Sequence, residues 1–196
     1  MKIWCATGNP GKLREFQLAA RVLNIDIAAL HDLKSIQPPE ETGRTFEDNA
    51  RLKAEYYSRF APGLLFADDS GLEVDALGGE PGVRSARFAG PNATDAANND
   101  LLLERLKGQT HRNARFVCAI ALARAGETIA TFRGEVGGVV LDAPRGSNGF
   151  GYDPLFHYPP FGSTFGEIES ERKFAVSHRG QALRNMLEYL ARHASK

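Results

Sequence analysis

Two adjacent carboxylates, Asp68 and Asp69, follow the apolar run Leu64 to Ala67 and precede Ser70-Gly71. At the end of a buried strand such a pair repels itself unless a cation or hydrogen-bond donors compensate. A hard cation such as Mg2+ takes oxygen ligands, commonly one or two carboxylates completed by phosphate oxygens and water. Neighbouring side chains on a strand point to opposite faces, so one of the two acids faces such a site directly. A turn or a helix cap would use the same residues. Glu40 and Glu41, in the proline-stiffened stretch 34–43, offer either a second carboxylate or a solvated acidic loop.

A second cluster opens the chain. The strand-like Ile3 to Ala6 breaks into Thr7-Gly8-Asn9-Pro10-Gly11-Lys12, and helix formers follow. Strand, glycine turn, lysine and helix is the order of a phosphate-binding loop, although two residues separate Gly8 from Gly11 where the common P-loop has four. Glycines admit an anion to backbone N–H groups, and a helix start adds its positive dipole end. A strand-to-helix turn with a surface lysine is the competing reading. Lys53 borders an apolar helix stripe and either snorkels to water or points into a cleft. Lys173, His178 and Arg179 lie at or before the last helix, where they form a solvated start or offer donors to a ligand. In residues 149–154, "GFGYDP", aromatic rings could anchor a buried turn. They could instead stack on a planar ligand while Asp153 reads an N–H edge.

The elements that must position these groups follow from periodicity. Lys12 to Leu23 reads as a helix with Leu13, Phe16, Ala20 and Leu23 on one face. "DIAAL" reads as a strand. Thr45 caps a helix, with Asp48 three residues on and Phe46, Ala50, Ala54 and Tyr57 as its inner stripe. A strand ends at the Asp68–Gly71 cluster. Thr94 opens a helix to about Leu106, and antiparallel strands follow around Ala125-Gly126-Glu127. A final helix from near Ser177 buries Leu183, Met186, Leu187 and Leu190. Alternating strands and helices followed by clustered strands give an α/β class with a mixed sheet. No linker or internal repeat divides residues 1–196, so one domain is expected.

Acidic and basic residues balance at 24 each. That removes the simple electrostatic case for nucleic-acid or membrane-surface binding. The longest apolar run, Phe116 to Ala123, is far below the ~20 residues of a membrane helix. Cys5 and Cys118 lie in apolar runs and read as buried thiols in a reducing cytoplasm. No zinc spacing, G-x-S-x-G or strand-borne G-x-G-x-x-G is present.

Taken in order, "TGNPGK", "EETGRTFEDNARLKA", "FADDSGLEVDALGGEPGVRSARFAG", "GFGYDPLF" and "KFAVSHRGQAL" closely resemble the inosine triphosphate pyrophosphatase family. The resemblance implies an elongated, two-lobed α/β fold around a long mixed sheet with a central cleft, usually as a homodimer. It implies Mg2+-dependent hydrolysis of dITP, ITP and XTP at the α-phosphorus, giving a monophosphate and pyrophosphate. Thr7, Gly8, Asn9, Pro10, Gly11 and Lys12 fall on its triphosphate loop. Glu40 and Asp69 fall on its metal carboxylates, with Asp69 also the general base. Lys53 and Ser70 fall on substrate contacts. Phe150, Gly151, Tyr152 and Asp153 fall on its base pocket, and Lys173, His178 and Arg179 on the residues that close over the nucleotide. Arg172-Lys173-Phe174 stands where the family often has Glu-Lys-Asn. Two alternatives stay open: a pyrophosphatase of pyrimidine or other modified nucleotides, and a nucleotide-binding sensor without catalysis.

Overall fold

Alternation within one strand explains most of the architecture. In β4 (Asn113–Arg124), Val117, Ala119, Ala121 and Ala123 point to one face and Cys118, Ile120 and Leu122 to the other. The alanine face admits α2 (Phe46–Ser58) close to the sheet, where its Phe46, Ala50, Ala54 and Tyr57 are buried. The larger face receives α1 (Pro10–Arg21) and α5 (His178–His193), through Phe16, Ala20, Leu183, Met186, Leu187 and Leu190. The computed structural model describes residues 1–21 and 25–193, so Leu23 of the expected α1 stripe lies outside them.

Seven strands form one mixed sheet in the order β2-β1-β3-β4-β5-β6-β7. β1 (Lys2–Cys5) runs parallel to β2 (Asp26–Ala29) and to β3 (Leu65–Val74). β3, β4, β5 (Glu127–Val140), β6 (Phe156–Tyr158) and β7 (Ser163–Thr164) are successively antiparallel. The β4–β5 turn places Ala125 and Gly126 at φ 52° and 92°, the left-handed geometry of a tight hairpin. A third core cluster sits toward the other end of the long strands. There Leu72, Phe116, Val136, Phe156 and Phe165 pack against Leu102 and Leu106 of α3 (Asp95–Arg105) and its exit. The cavity described below takes Lys12 from α1, Ser70 from β3, Phe116 from β4, and His178 and Arg179 from α5.

Two helix caps are read correctly, Thr45 Oγ1 accepting the Asp48 N–H at 3.1 Å and Thr94 Oγ1 the Ala97 N–H at 3.1 Å, while α1 starts at Pro10, ahead of the expected Lys12. Two readings change. The strand expected to stop at Asp68 continues to Val74, because β4 supplies partners to every residue from Leu65 to Val74. A short helix, α4 (Ser170–Val176), precedes α5, and its Phe174 is buried against the α1–α5 cluster. Among the described residues no helix is long and apolar enough to cross a membrane.

Continuation of β3 makes Gly71 a contact point. A Cβ there would overlap Ser85 Oγ and stand 2.5 Å from the Gly82 carbonyl oxygen. Ser85 is itself fixed, accepting the Leu72 N–H at 2.9 Å and donating to Gly82 O at 2.7 Å. Gly71→Ala is therefore expected to cost about 1–3 kcal/mol by overpacking, measured as a lowered urea midpoint with unchanged slope.

Candidate active site

The β3 pleat sends Asp68 and Asp69 to opposite faces, each to its own lysine. Lys12 Nζ lies 2.7 Å from Asp68 Oδ2, and Lys53 Nζ lies 3.1 Å from Asp69 Oδ1. Ser70 Oγ donates to Asp68 Oδ2 at 3.3 Å and accepts from Arg179 Nη2 at 3.4 Å. Burial pushes the Asp68 carboxyl up, but Lys12, Lys53 and Arg179 outweigh it and hold it below the usual range. Burial pushes Asp69 up and wins, since Lys53 and Lys12 only partly offset it and Glu41 adds to the rise. Two adjacent acids are thus driven apart, and Asp69 is the one prepared to accept a proton.

Lys53 also lies 3.0 Å from Glu41 Oε1, so one ammonium bridges carboxylates far apart in sequence. Burial would neutralise Lys53, but Asp69, Asp68 and Glu41 outweigh it and raise its pKa. Glu40, expected to share a cation with Asp69, is exposed and lines a surface groove of about 550 Å3 with Asp48, Arg51, Glu55 and Arg59. The loop turns there, with Thr42 N–H donating to Glu40 O at 3.1 Å, and Glu41 is the acid directed inward. The second carboxylate of the cluster is therefore Glu41, which also meets Arg87 Nη1 at 3.4 Å.

Asn49 is a polar residue that sequence reading passes over. It is fully buried on α2, accepts the Gly43 N–H at 2.8 Å and donates to Asp69 Oδ2 at 3.2 Å. It ties the Glu40–Gly43 loop to the general-base candidate. Its place beside Ala50 on the inner stripe is the one hint the sequence carries.

The first loop differs from an open anion nest. Asn9 Oδ1 accepts the Gly11 N–H at 2.8 Å and the Lys12 N–H at 3.2 Å, while Asn9 N–H donates to Thr7 Oγ1 at 3.2 Å. Two of the amides expected to face a phosphate are thus used in capping α1, and Pro10 has none to offer. The capping bonds leave the Thr7 and Gly8 amides and the Lys12 ammonium. Gly8 has open space around its Cβ position, and Gly11 packs against the Phe150 ring.

Beyond Ser70 lies a cavity of about 120 Å3, lined by Asn9, Lys12, Phe116, Phe150, His178 and Arg179 among others. Its loop is pinned from α3: Asp95 Oδ2 accepts the Gly151 N–H at 2.7 Å, and Asn99 Nδ2 donates to Gly151 O at 3.1 Å. Tyr152 is an anchor, its hydroxyl donating to Ser85 O at 2.8 Å. Asp153 lines the cavity, and one of its two carboxylate oxygens is taken inside the protein. Its Oδ2 accepts the Phe150 N–H at 2.9 Å and Lys173 Nζ at 2.6 Å. Lys173 stands behind the cavity, 1% exposed, with Glu15 Oε1 at 3.0 Å as its second partner. Glu15 also holds Arg179 Nη1 at 3.0 Å, and the guanidinium lies 4.7 Å from the Phe150 ring centre.

His178 is the exception to all this pairing. It is 1% exposed, and neither ring nitrogen has a partner. Arg179 Nε is also buried and unpartnered. Burial, with Arg179, Lys173 and Lys12 nearby, drives the His178 pKa well below its ordinary value, so the ring is neutral. Buried polar atoms left unpaired cost free energy unless a ligand meets them. Three such atoms belong to two residues that line this one cavity.

A family model described as the Ham1 family matches residues 3–189. The chain belongs to the Ham1 family. Proteins named dITP/XTP pyrophosphatase from an Exiguobacterium species and from Thermus thermophilus are each 52% identical to it, covering 95% and 96% of this chain and 95% and 91% of theirs. The solved Ham1 proteins of Staphylococcus aureus and Coxiella burnetii superpose with TM-scores of 0.86 and 0.88 at 40% identity over 98% of this chain. They cover 100% and 99% of those chains. The α/β class and mixed sheet expected from the motifs are those of this Ham1 protein.

The oxygen donors a hard cation would meet in this Ham1 protein are the carboxylates of Asp69 and Glu41. Among the described residues no three His, Cys, Asp or Glu side chains surround one point. Asp69 and Glu41 nonetheless share one cation in Lys53, and burial leaves Asp69 incompletely compensated. A divalent ion held by these two acids, with phosphate oxygens and water completing its shell, suits such a donor set.

Proposed function

We propose that this protein hydrolyses non-standard purine nucleoside triphosphates (dITP and ITP, XTP and dXTP) to the monophosphate and pyrophosphate, clearing them from the nucleotide pool. The observation that carries this reading is the set of buried, unpartnered nitrogens on His178 and Arg179, two residues that line a cavity with Lys12 and with Ser70, the neighbour of Asp69 on β3. Arg179 Nε is a donor only, and neutral His178 adds one donor and one acceptor. Both suit the 6-oxo edge of hypoxanthine or xanthine. A 6-amino group would set donor against donor, at about 1–3 kcal/mol per unmet group.

Lys12 and Lys53 stabilise the negative charge of the triphosphate and of the leaving pyrophosphate. Asp69 orients the attacking water and takes its proton as the oxygen approaches the α-phosphorus. In-line displacement makes positioning the main task, and Asn49 with Lys53 holds the Asp69 carboxylate at both oxygens. Asp69 and Glu41 would hold Mg2+, which would supply further charge neutralisation and template chemistry. The reading includes a homodimer acting in the cytoplasm, in line with the resemblance of the motifs.

A panel of dITP, XTP, dATP, dGTP and TTP with Mg2+ tests it. The expected products are monophosphate and pyrophosphate, with dITP preferred over dATP in kcat/KM by about tenfold or more. Equal rates on dITP and dATP refute the base reading. Diphosphate plus orthophosphate refutes attack at the α-phosphorus. Preference for TTP favours a pyrimidine enzyme, and tight dITP binding without turnover favours a sensor.

A further inference from the structure

Because neither His178 nitrogen is bonded to protein, no polar contact fixes the plane of the ring. Its plane must come from packing. Among the described residues, the one aromatic face stacked on it belongs to Phe116 of β4, with ring centres 4.8 Å apart and planes 12° from parallel. Phe116 is itself held: Phe156 stands 4.5 Å away at 47°, and Phe165 lies 6.0 Å away, tilted by only 4°. These rings build a pillar from β4 and β6 up to the start of α5. The backbone of His178 is fixed independently, since its carbonyl packs so closely on Gly134 of β5 that a Cβ there would overlap it. With the backbone set by Gly134, rotation of the imidazole is the freedom left, and Phe116 restrains it.

We propose that Phe116 is a specificity-determining positioning residue, which by stacking on His178 fixes the plane in which that ring meets the 6-oxopurine edge, an assignment that rests on the base-reading function above. A neutral imidazole carries its one N–H and its one lone pair in the ring plane, so that plane sets the direction in which both meet a ligand. Arg179 on α5, Lys173 on α4 and Lys12 on α1 are the charged groups acting on it, and β4 contributes the apolar ring. A flat apolar neighbour keeps the ring desolvated without offering either nitrogen a partner. Aligned offset rings of this kind are the favoured aromatic geometry. A branched aliphatic side chain would fill the space but leave the plane free.

The test compares wild type with Phe116→Leu by two measurements. The ratio of kcat/KM for dITP to that for dATP is expected to fall about tenfold, with most of the loss in KM for dITP. NMR relaxation of the His178 ring C–H bonds in the unliganded protein should show a restrained ring in wild type and a mobile one in the variant. Should the leucine variant not fold, Phe116→Met, unbranched and adaptable, carries the same comparison. Both changes together support the proposal. A retained ratio overturns it, whatever the ring motion does, and so does a fallen ratio with the ring still restrained. A wild-type ratio near one instead overturns the base reading itself, and this inference with it.

Discussion

Asp69→Asn is expected to lower kcat for dITP about a thousandfold while the protein keeps its fold. The argument is geometric first. Asp69 is the carboxylate held at Oδ1 by Lys53 and at Oδ2 by Asn49, facing the shared cation, whereas Asp68 is turned toward Lys12. An amide at this position cannot take the proton of an attacking water. Stability is expected to change little. Burial raises the folded pKa of Asp69, so the folded state binds the proton more tightly than the unfolded chain. That favours the fold at pH below the unfolded value and is lost as pH rises through the folded value. At neutral pH the ionised side chain therefore costs stability, which asparagine relieves. The new amide beside Lys53 opposes that gain, and Lys53 keeps Glu41. Steady-state kinetics on dITP and a melting curve without added divalent ion check both halves. A variant with wild-type kcat removes Asp69 as the base, and one that unfolds early assigns it a structural role.

How much of this was legible depends on whether a residue's environment is local. Leu183, Met186, Leu187 and Leu190 announce the buried face of α5 because helical spacing alone places them together. The Thr45 cap is equally local. The extension of β3 through Asp68 and Asp69 is not, because the ladder that stabilises it comes from Ala119 and Ile120 on β4. Glu15 is the extreme case. Within Lys12-Leu13-Arg14-Glu15 it looks like a solvated helix acid, yet it is 7% exposed, bonded to residues 158 and 164 positions away. Glu40 and Glu41 differ only in which way one loop turns, a choice that Lys53 and Arg87 make in the folded chain. The motifs located the site, but the direction of individual side chains was written in contacts between distant segments.

That long-range pairing carries the largest expected stability effect, in Lys173→Met. Lys173 is a fully buried ammonium between Glu15 and Asp153, and methionine replaces its volume but not its charge. Breaking a buried ion pair by removing one partner typically costs about 3–5 kcal/mol, because the other charge is left uncompensated. Glu15 keeps Arg179, so the stranded charge is Asp153, whose Oδ2 then retains only the Phe150 N–H. In wild type, burial already raises the Asp153 pKa despite Lys173, whereas for Glu15 burial is outweighed by Arg179 and Lys173 and the pKa is lowered. Without the lysine, Asp153 is driven higher still. Its proton uptake then favours the folded state at low pH, a contribution lost as pH rises through the folded pKa. Urea denaturation should therefore show a deficit that is large at about pH 8 and narrows toward about pH 5. Adding Asp153→Asn to Lys173→Met should recover most of it, since the amide oxygen still accepts from Phe150 and no charge is stranded. A deficit constant across pH and unmoved by Asp153→Asn would trace the damage to packing around α4, and the ion network would lose its place as the support for Phe150 and Arg179.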